Sequence, residues 1–350
     1  MAAIIPNFVF YILAFLIPLI ISGVGMPLLK RLMLKKGKYG IDVHKKEKPK
    51  VAEMGGIMIL LSIVLTTIIL IFLVDTNLEK MVLGAFALTL LVAGVIGIID
   101  DFYRLSGILK PVLLLIASAP IIIMGLIQSG VFVPNPQLPL IGETNLTIVY
   151  WILLPFVITV TSNAANMLDV FNGSLATTSM IVLFFTFFTN MIIKGDLQTF
   201  DITYVLILMM IGTLVIFWTY NKYPAKVFAG DTGSLTVGAA LGAIAILGRL
   251  EVVVIIAMIP FIMNGFGIIS SVRGLFERSE MARPTRMTKD WKIASTGNSK
   301  APITLVGLIV QDGPLNEKDV VKAFNILTIV SGIFALLIAV LIRITLGGIS

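Results

Sequence analysis

The sequence contains no cysteine and only one histidine among its 350 residues. The absence of cysteine excludes disulfide bonds, thiolate nucleophiles and metal sites built on thiolates. The single histidine, His44, lies in a lysine-rich segment, which leaves no candidate for a Ser-His-Asp triad or an HExxH zinc motif. A glycine-rich phosphate loop that ends in Lys and Ser or Thr is also missing. Carboxylate, amide, lysine and arginine side chains remain among the candidates for chemistry.

Charged side chains are scarce as well. They make up 13% of the chain, whereas hydrophobic residues make up 58% and the mean hydropathy is +1.04. Uncharged runs of roughly 20 residues match the ~30 Å hydrocarbon core of a bilayer. We predict an all-α polytopic membrane protein, one transmembrane domain over residues 1–350 with about ten transmembrane helices. The ten runs cover about residues 8–29, 55–74, 81–99, 111–128, 148–165, 174–193, 202–220, 233–248, 252–272 and 323–342.

Lysine and arginine orient these runs, because cytoplasmic loops retain basic residues. The first run follows no basic segment and is too long for a signal peptide, so we interpret it as a membrane span. We predict that both termini lie outside. The inner loops then hold 22 of the 26 Lys and Arg residues, and the outer side keeps only Lys80, Lys194, Arg249 and Arg343. This topology and anionic lipid head groups explain the net charge of +7, so we expect no nucleic-acid partner.

The long cytosolic loop, residues 273–322, separates predicted helices 9 and 10. Its β-branched segment 301–310 is bounded by Gly, Asn and Pro, which predicts a small β-hairpin. Arg283 and Arg286 belong to a basic stretch, 283–292, that is typical either of a solvated surface or of a diphosphate clamp. Asn316 is suited to cap the last helix, and Glu317 follows in its first turn.

Asp100 and Asp101 end the third run on the inner side. Two carboxylates at a helix C-terminus face the negative end of the helix dipole, and a nearby cation relieves that cost. Lys110, at the start of the fourth run, or a divalent ion is suited to this task. The alternative is a solvated loop entrance, where two acids need no partner.

A second polar segment follows the fifth run. Asn163, Asn166, Asp169 and Asn172 recur at steps of three residues, which places them on one face of a continuing helix. Such a dense polar stripe at the end of an apolar helix is costly in lipid and therefore indicates contact with water or a ligand. Helix capping alone needs one such residue at each end.

A third polar segment, residues 227–234, opens the eighth run. Gly230 and Gly233 permit close backbone approach, and the free N–H groups of the helix start favour an anion. Asp231 beside an anion suggests Mg²⁺, which binds one or two carboxylates together with phosphate oxygens. The alternative is an N-cap aspartate with a glycine turn.

Together these motifs resemble the polyprenyl-phosphate N-acetylhexosamine-1-phosphate transferases, a family of ten-span membrane enzymes. The resemblance covers about residues 40–290. The matching positions are Asp42 with Lys45 and Lys46, Glu53 to Gly56, Asp100 and Asp101 with Lys110, Asn163 to Gly173, and Val227 to Leu235. The bacterial His-rich loop is missing, and Asn172 stands where the bacterial pattern has Asp, so the chain is more similar to the GlcNAc-type branch.

The resemblance implies a catalytic domain that transfers a sugar phosphate from a UDP-N-acetylhexosamine to a polyprenyl or dolichyl phosphate and releases UMP. It implies that Asn166 and Asp231 hold Mg²⁺, with Mn²⁺ as an alternative. Asp100, Asp101, Lys110 and Asp231 would form the catalytic set. The resemblance further implies substrate contacts from Asn163, Asp169, Asn172, Phe228, Gly230, Arg283, Arg286, Lys46 and Glu53.

Two other functions compete with this expectation. A membrane transporter of a nucleotide sugar or organic anion binds near the midplane of the bilayer, often beside ionisable residues, yet no run here carries a charge at its centre. A prenyltransferase needs a repeated Asp-x-x-x-Asp motif that is absent. We expect an archaeal cell membrane, with the endoplasmic reticulum as the alternative, an active site on the cytosolic face, and a homodimer as a candidate assembly.

Overall fold

The computed structural model of the chain describes residues 6–195, 197, 199–276 and 280–348. Helices dominate it, joined by short loops and three two-stranded antiparallel sheets. The helices are α1 (Asn7–Lys35), α2 (Gly56–Ile71), α3 (Asn77–Tyr103), α4 (Leu109–Leu115), α5 (Ala119–Ile127), α6 (Thr147–Leu168), α7 (Ser174–Lys194), α8 (Ile202–Asn221), α9 (Gly230–Gly248), α10 (Glu251–Ala257), α11 (Ile259–Val272), α12 (Leu305–Ile309) and α13 (Glu317–Gly348). The strands are β1 (Tyr39–Ile41), β2 (Lys50–Ala52), β3 (Gln137–Leu138), β4 (Gly142–Glu143), β5 (Thr285–Met287) and β6 (Ile293–Ser295).

Eight helical segments of the described chain are long and apolar enough to cross a bilayer. A 3-10 turn at Ile116–Ser118 joins α4 and α5, which form one of the eight, Leu109–Ile127. The pair α10 and α11, bent by 70°, supplies a ninth candidate, and α2 is a shorter apolar helix of 16 residues. Each predicted run is therefore helical, and the protein is an integral membrane protein. The number of spans, about ten, and the outward termini stay predictions.

Local sequence explains where several helices begin or break. Thr76 and Glu79 form a capping box at the start of α3, in which each side chain accepts a hydrogen bond from the backbone N–H of the other. Pro260 lies in the first turn of α11, where its missing N–H breaks no bond of that helix. Because Pro260 has no backbone N–H, it cannot donate a hydrogen bond to a carbonyl oxygen of α10, and this favours the bend at Met258.

Helix α9 is the centre of the bundle, and it packs against α2, α3 and α6 through glycines. A Cβ at Gly56 of α2 would lie 2.0 Å from the backbone nitrogen of Gly233. A Cβ at Gly97 of α3 would lie 2.5 Å from Cα of Thr232. Small residues let helix backbones approach closely in a membrane, where apolar burial gives little drive for association. These contacts place the start of α9 beside the end of α3.

Glycines in the next turns of α9 also pack against a neighbouring helix. A Cβ at Gly238 would lie 2.4 Å from the carbonyl oxygen of Thr161, and one at Gly242 would lie 3.2 Å from Cδ1 of Ile158. Both neighbours belong to α6. The surface of α9 that faces α6 is thus a helix-packing face.

We predict that Gly56→Ala destabilises the fold, because its new methyl group meets the backbone of α9 rather than a movable side chain. Overpacking of this kind typically costs about 1–3 kcal/mol. The midpoint of thermal unfolding in detergent measures the effect. Gly313→Ala is the matched control, since a Cβ there meets no atom within 4 Å. Equal midpoints for the two variants would contradict the packing argument.

The long loop that follows α11 contains a β-hairpin, but its predicted position is wrong. The hairpin is formed by β5 and β6, where Thr285 pairs with Ser295 and Met287 pairs with Ile293. The segment predicted to form it, 301–310, instead leads into α12, because the side chain of Thr304 accepts a hydrogen bond from the N–H of Gly307 and starts a helix. The N-cap hydrogen bond of Thr304 therefore outweighs the β-branched composition of the segment.

Candidate active site

Two ion pairs connect the end of α3 to the starts of α4 and α9. Asp100, in the last turn of α3, is 3% exposed, and its Oδ2 pairs with Nζ of Lys110. The same Nζ lies 3.4 Å from Oδ1 of Asp231, in the first turn of α9. The second oxygen of Asp100 accepts a 2.6 Å hydrogen bond from the N–H of Leu105, which fixes the carboxylate. Lys110 therefore joins two carboxylates that are far apart in sequence.

Asp101 holds the first turn of α9. Its Oδ1 accepts a 2.7 Å hydrogen bond from the N–H of Asp231, and its Oδ2 accepts bonds from the N–H and the hydroxyl of Thr232 at 3.1 and 2.6 Å. A carboxylate in this position satisfies free helix donors and complements the helix dipole. Asp101 occupies two of the N–H groups that were predicted to favour an external anion, so those of Asp231 and Thr232 are not open to one.

Gly230 allows this cap to form. Its φ angle is +70°, and a Cβ there would lie 2.8 Å from Oδ2 of Asp101. An L side chain at this position would suffer both the backbone strain and the contact with a carboxylate held by three hydrogen bonds. Gly230 is needed for the local backbone, which is the role its motif suggested.

Asn166 brings the last turn of α6 to Asp231. Its Nδ2 donates to Oδ1 of Asp231 and, at 2.8 Å, to the hydroxyl of Ser234. Since the amide nitrogen makes both bonds, the amide oxygen is the atom suited to a cation. Asp231 itself is 31% exposed, so a soluble ligand can reach it.

Asp169 adds a further carboxylate just after the end of α6. Burial, and secondly the negative charge of Asp231, raise the pKa of Asp169 to about 7. Its charge is therefore sensitive to pH near neutrality, and a cation bound beside it would favour the ionised form.

The residues brought together here fit a divalent metal ion. Carboxylate and amide oxygens are the donors that Mg²⁺ prefers. In the part of the chain that the structure describes, Lys110 is the one basic side chain in ion-pair contact with these carboxylates, so negative charge is in excess. The sequence-predicted residues that converge at this acidic cluster are Asp100, Asp101, Lys110, Asn166, Asp169, Gly230 and Asp231.

The predicted polar stripe does not form one helix face. Helix α6 ends at Leu168, so Asp169 and Asn172 lie in the turn to α7. The Nδ2 of Asn163 donates to the carbonyl oxygen of Thr159 within α6 at 2.8 Å. Asn172 is buried elsewhere, against Asp42 and Glu317. The three-residue spacing therefore delivers only Asn166 and Asp169 to the acidic cluster.

Phe228 lies beside the β1–β2 segment. Its backbone N–H donates to the carbonyl oxygen of Ala52 at 2.8 Å, and its own carbonyl accepts from the N–H of Gly55 at 2.8 Å. A Cβ at Gly40 would lie 3.2 Å from the Phe228 ring and 2.6 Å from Oε1 of Glu53. Burial raises the pKa of Glu53, although the positive charges of Lys38 and Arg104 oppose the shift. The ring and the carboxylate thus flank one glycine.

The predicted basic contacts lie on exposed loops. Arg283 and Arg286 are exposed at the β5–β6 hairpin, and Lys46 is exposed in the β1–β2 loop. Among the described residues none of the three forms an ion pair with the acidic cluster, and residues 277–279 lie outside that description.

Some site residues were not predicted from sequence. Thr232 and Ser234 bind Asp101 and Asn166 through their hydroxyls, and their place in the first turn of α9 was the signal that pointed to them. Glu317 was interpreted only as a charge suited to the dipole of α13, and nothing local indicates its contact with Asn172.

Comparisons with known proteins agree with this geometry. The sequence profile described as glycosyl transferase family 4 matches residues 83–249, which include the acidic cluster. A protein named as a glycosyltransferase from Methanocaldococcus jannaschii is 31% identical over 330 residues, covering 92% of this chain and 96% of the relative.

Two further relatives carry more specific names. One from Saccharolobus solfataricus, named as a UDP-N-acetylglucosamine–dolichyl-phosphate N-acetylglucosaminephosphotransferase, is 30% identical over 72% of this chain and 77% of its own length. The phospho-N-acetylmuramoyl-pentapeptide-transferase of Bacillus subtilis is 30% identical over 75% of this chain and 81% of its own length. The resemblance found in the motifs is confirmed, and the chain is a membrane transferase that belongs to glycosyl transferase family 4.

Proposed function

We propose that this protein transfers an N-acetylhexosamine 1-phosphate, GlcNAc 1-phosphate in our preferred form, from a UDP-sugar to a polyprenyl or dolichyl phosphate. The observation that carries the proposal is the contact of Asp231 with both Asn166 and Lys110 where α3, α4, α6 and α9 meet. The names of the relatives from Saccharolobus and Bacillus support the same substrate classes.

In this reaction an oxygen of the polyprenyl phosphate attacks the β-phosphorus of the UDP-sugar. A new P–O bond forms, the bond from the β-phosphorus to the bridging oxygen breaks, and UMP leaves with that oxygen. A phosphate monoester has a second pKa of about 6, so the acceptor is largely ionised at neutral pH. The protein then needs no strong base, and its contribution is positioning and charge compensation.

The acidic cluster suits these tasks. Lys110 places its ammonium between Asp100 and Asp231, where it can contact a phosphate oxygen. Asp100 orients Lys110, and Asp101 orients Asp231 by holding the first turn of α9. We assign Asp231 and Asn166 to Mg²⁺, with Mn²⁺ as the alternative. Such an ion would screen the negative charge of the diphosphate oxygens.

The remaining predicted contacts belong to the donor. We propose that Phe228 stacks on the uracil beside Glu53, and that Lys46, Arg283 and Arg286 reach the diphosphate or the sugar from their exposed loops. Guanidinium groups bind diphosphates bidentately, which suits the two arginines. Asn163 lies about one helical turn before Asn166 in α6, and Asn172 lies in the turn between α6 and α7. We assign both to the support of the acidic cluster.

We propose that this reaction takes place on the cytosolic face, because the acidic cluster lies at helix ends next to loops whose Lys and Arg content predicts a cytosolic location. We propose an archaeal cell membrane, with the endoplasmic reticulum as the alternative, and a product that begins a glycan pathway such as protein N-glycosylation. A homodimer is our proposed assembly.

The raised pKa of Asp169 predicts that Mg²⁺ affinity increases with pH. Asp169 is mostly protonated below its pKa of about 7, so affinity should be about tenfold lower at pH 6 than at pH 8. In the metal-free protein, folding stability changes with pH in the opposite direction. The stabilisation from protonated Asp169 is complete below its pKa in the unfolded chain, about 3.9, and is lost as the pH rises to about 7. Titration calorimetry at three pH values measures the affinity. Asp169→Asn should remove most of the slope, and an unchanged slope would assign it to another group.

The decisive assay combines the purified protein, a polyprenyl phosphate, Mg²⁺ and a panel of labelled UDP-sugars. We expect UMP and a lipid-linked sugar diphosphate with UDP-GlcNAc or a close relative. If none of the UDP-sugars in the panel gives UMP, the transferase proposal is rejected and transport of a nucleotide sugar is favoured. Release of UMP from a different UDP-sugar would support the proposed reaction and replace GlcNAc by the sugar of that donor.

A further inference from the structure

A second set of polar and charged groups, separate from the acidic cluster, lies buried where three segments of the chain meet. We call it the buried ion-pair cluster; its members are Asp42, Lys45, Asn172 and Glu317, each less than a tenth exposed. Nζ of Lys45 pairs with Oδ2 of Asp42 at 3.1 Å and with Oε2 of Glu317. Charges are rarely buried without a purpose, since removing them from water is costly. The proposed mechanism uses none of the three charged members.

Within this cluster, Glu317 and Asp42 each accept a hydrogen bond from Asn172. Oε1 of Glu317 accepts a 2.8 Å hydrogen bond from the backbone N–H of Asn172, and Oδ2 of Asp42 accepts one of 2.8 Å from its side-chain Nδ2. The ring of His44 lies 5.0 Å from that of Phe171. The turn between α6 and α7 is therefore fixed by α13 and by the β1–β2 loop, although neither is its neighbour in sequence.

A metal ion is the other way to explain this grouping. Ligand atoms of Asp42, His44 and Glu317 lie within 4.8 Å of one another, which is close enough to share an ion. However, the ammonium of Lys45 already contacts both carboxylates and supplies the positive charge that a metal would bring. The arrangement is complete as an ion-pair network, so we assign no metal to it.

The same network reaches the segment that carries Phe228. Nζ of Lys45 lies 4.0 Å from the centre of the Tyr223 ring, a cation–π contact. Asn221 accepts a 3.1 Å hydrogen bond from the N–H of Gly173 and donates a 3.0 Å bond to the carbonyl oxygen of Val227. The network thus joins the turn that bears Asp169 to the residue that precedes Phe228.

We propose that Glu317 is a positioning residue for the donor substrate: through Asn172 it sets the α6–α7 turn relative to the segment that bears Phe228. This inference rests on the proposed function, which assigns Phe228 to the uracil and the acidic cluster beside the α6–α7 turn to the metal-bound diphosphate of the UDP-sugar. Glu317 touches no reacting group in this scheme. Its loss should therefore weaken donor binding more than it slows the chemical step or weakens acceptor binding.

The test compares KM and kcat for each substrate in a graded series. Glu317→Leu removes both the hydrogen-bond acceptor and the charge, and should raise KM for the UDP-sugar at least tenfold. Glu317→Gln keeps an acceptor for Asn172 and should raise it only about threefold. In both variants we expect kcat to stay within about threefold and KM for the polyprenyl phosphate within twofold of the wild type.

Asp319→Asn is the matched control, because it neutralises an exposed carboxylate in the same turn of α13. It should leave every constant unchanged. If Glu317→Leu does not accumulate as folded protein, Glu317→Gln alone decides, since it retains the bond to Asn172. An unchanged donor KM, or an equal rise for both substrates, would overturn the positioning role. If the wild-type protein neither binds UMP nor releases UMP from a UDP-sugar, the proposed function itself is rejected.

Discussion

Asp231→Asn is expected to lower the rate of UMP release about a thousandfold while the protein still folds. The substitution removes the charge that Asp231 offers to a metal ion and weakens its contact with Lys110. Removing one preorganised charge-stabilising group typically costs 10²–10³ in rate, and loss of the metal should place this variant at the upper end. The fold should survive because asparagine preserves the shape and the oxygen that accepts from Asn166. Single-turnover release of labelled UMP from saturating UDP-sugar measures the effect.

The matched control for this change is Asp312→Asn, the same substitution at an exposed loop position. It should keep the wild-type rate. Thermal unfolding in detergent distinguishes loss of the metal-binding charge from loss of the fold. Both variants should unfold close to the wild-type midpoint. A rate within tenfold of the wild type in Asp231→Asn would sink the metal assignment and, with it, the central role of the acidic cluster.

Lys110→Met is expected to lower activity strongly and to destabilise the protein. Asp100 is buried, and among the described residues only Leu105 would still donate a hydrogen bond to its carboxylate without Lys110. Breaking a buried ion pair by removing one partner typically costs about 3–5 kcal/mol. The ammonium that would contact the phosphate is lost as well, so we expect a rate at least about a hundredfold lower.

The double variant Asp100→Asn with Lys110→Met separates these two effects. The asparagine still accepts from the N–H of Leu105 but leaves no unpaired charge, so much of the lost stability should return. Activity should stay low, because the phosphate still lacks its ammonium partner. Lys300→Met, at an exposed position, is the control for the change of side chain. Recovery of both stability and activity in the double variant would show that Lys110 acts only as a structural counter-ion.

Asp101 lies where its motif predicted, but with a different set of contacts. The structure puts it in the acidic cluster, where both of its oxygens bind the first turn of α9. The pair Asp100-Asp101 therefore divides two tasks between neighbours. One carboxylate holds the lysine, and the other holds the helix start that presents Asp231.

Sequence alone determined the membrane class, the helical runs and the acidic residues of the cluster. These features depend on composition and on spacing within a single segment: an apolar run long enough to span lipid must be helical, because no water satisfies its backbone. The predicted meeting of Asp231 with Asn166 and Asp100 also followed, since each lies at a helix end on the same predicted side.

Tertiary structure decided which partner each polar group takes. Asn172 continues the spacing of Asn166, yet α6 ends before it and its amide binds Asp42. Glu317 looks like an ordinary first-turn acid until α13 packs beside Lys45 and Asn172. The hairpin likewise formed at 285–295, whereas Thr304 turned the expected segment into a helix. Periodicity fixes which way residues of one helix point, but a hydrogen bond between distant segments depends on how the helices pack, and that packing is not encoded in any single stretch of sequence.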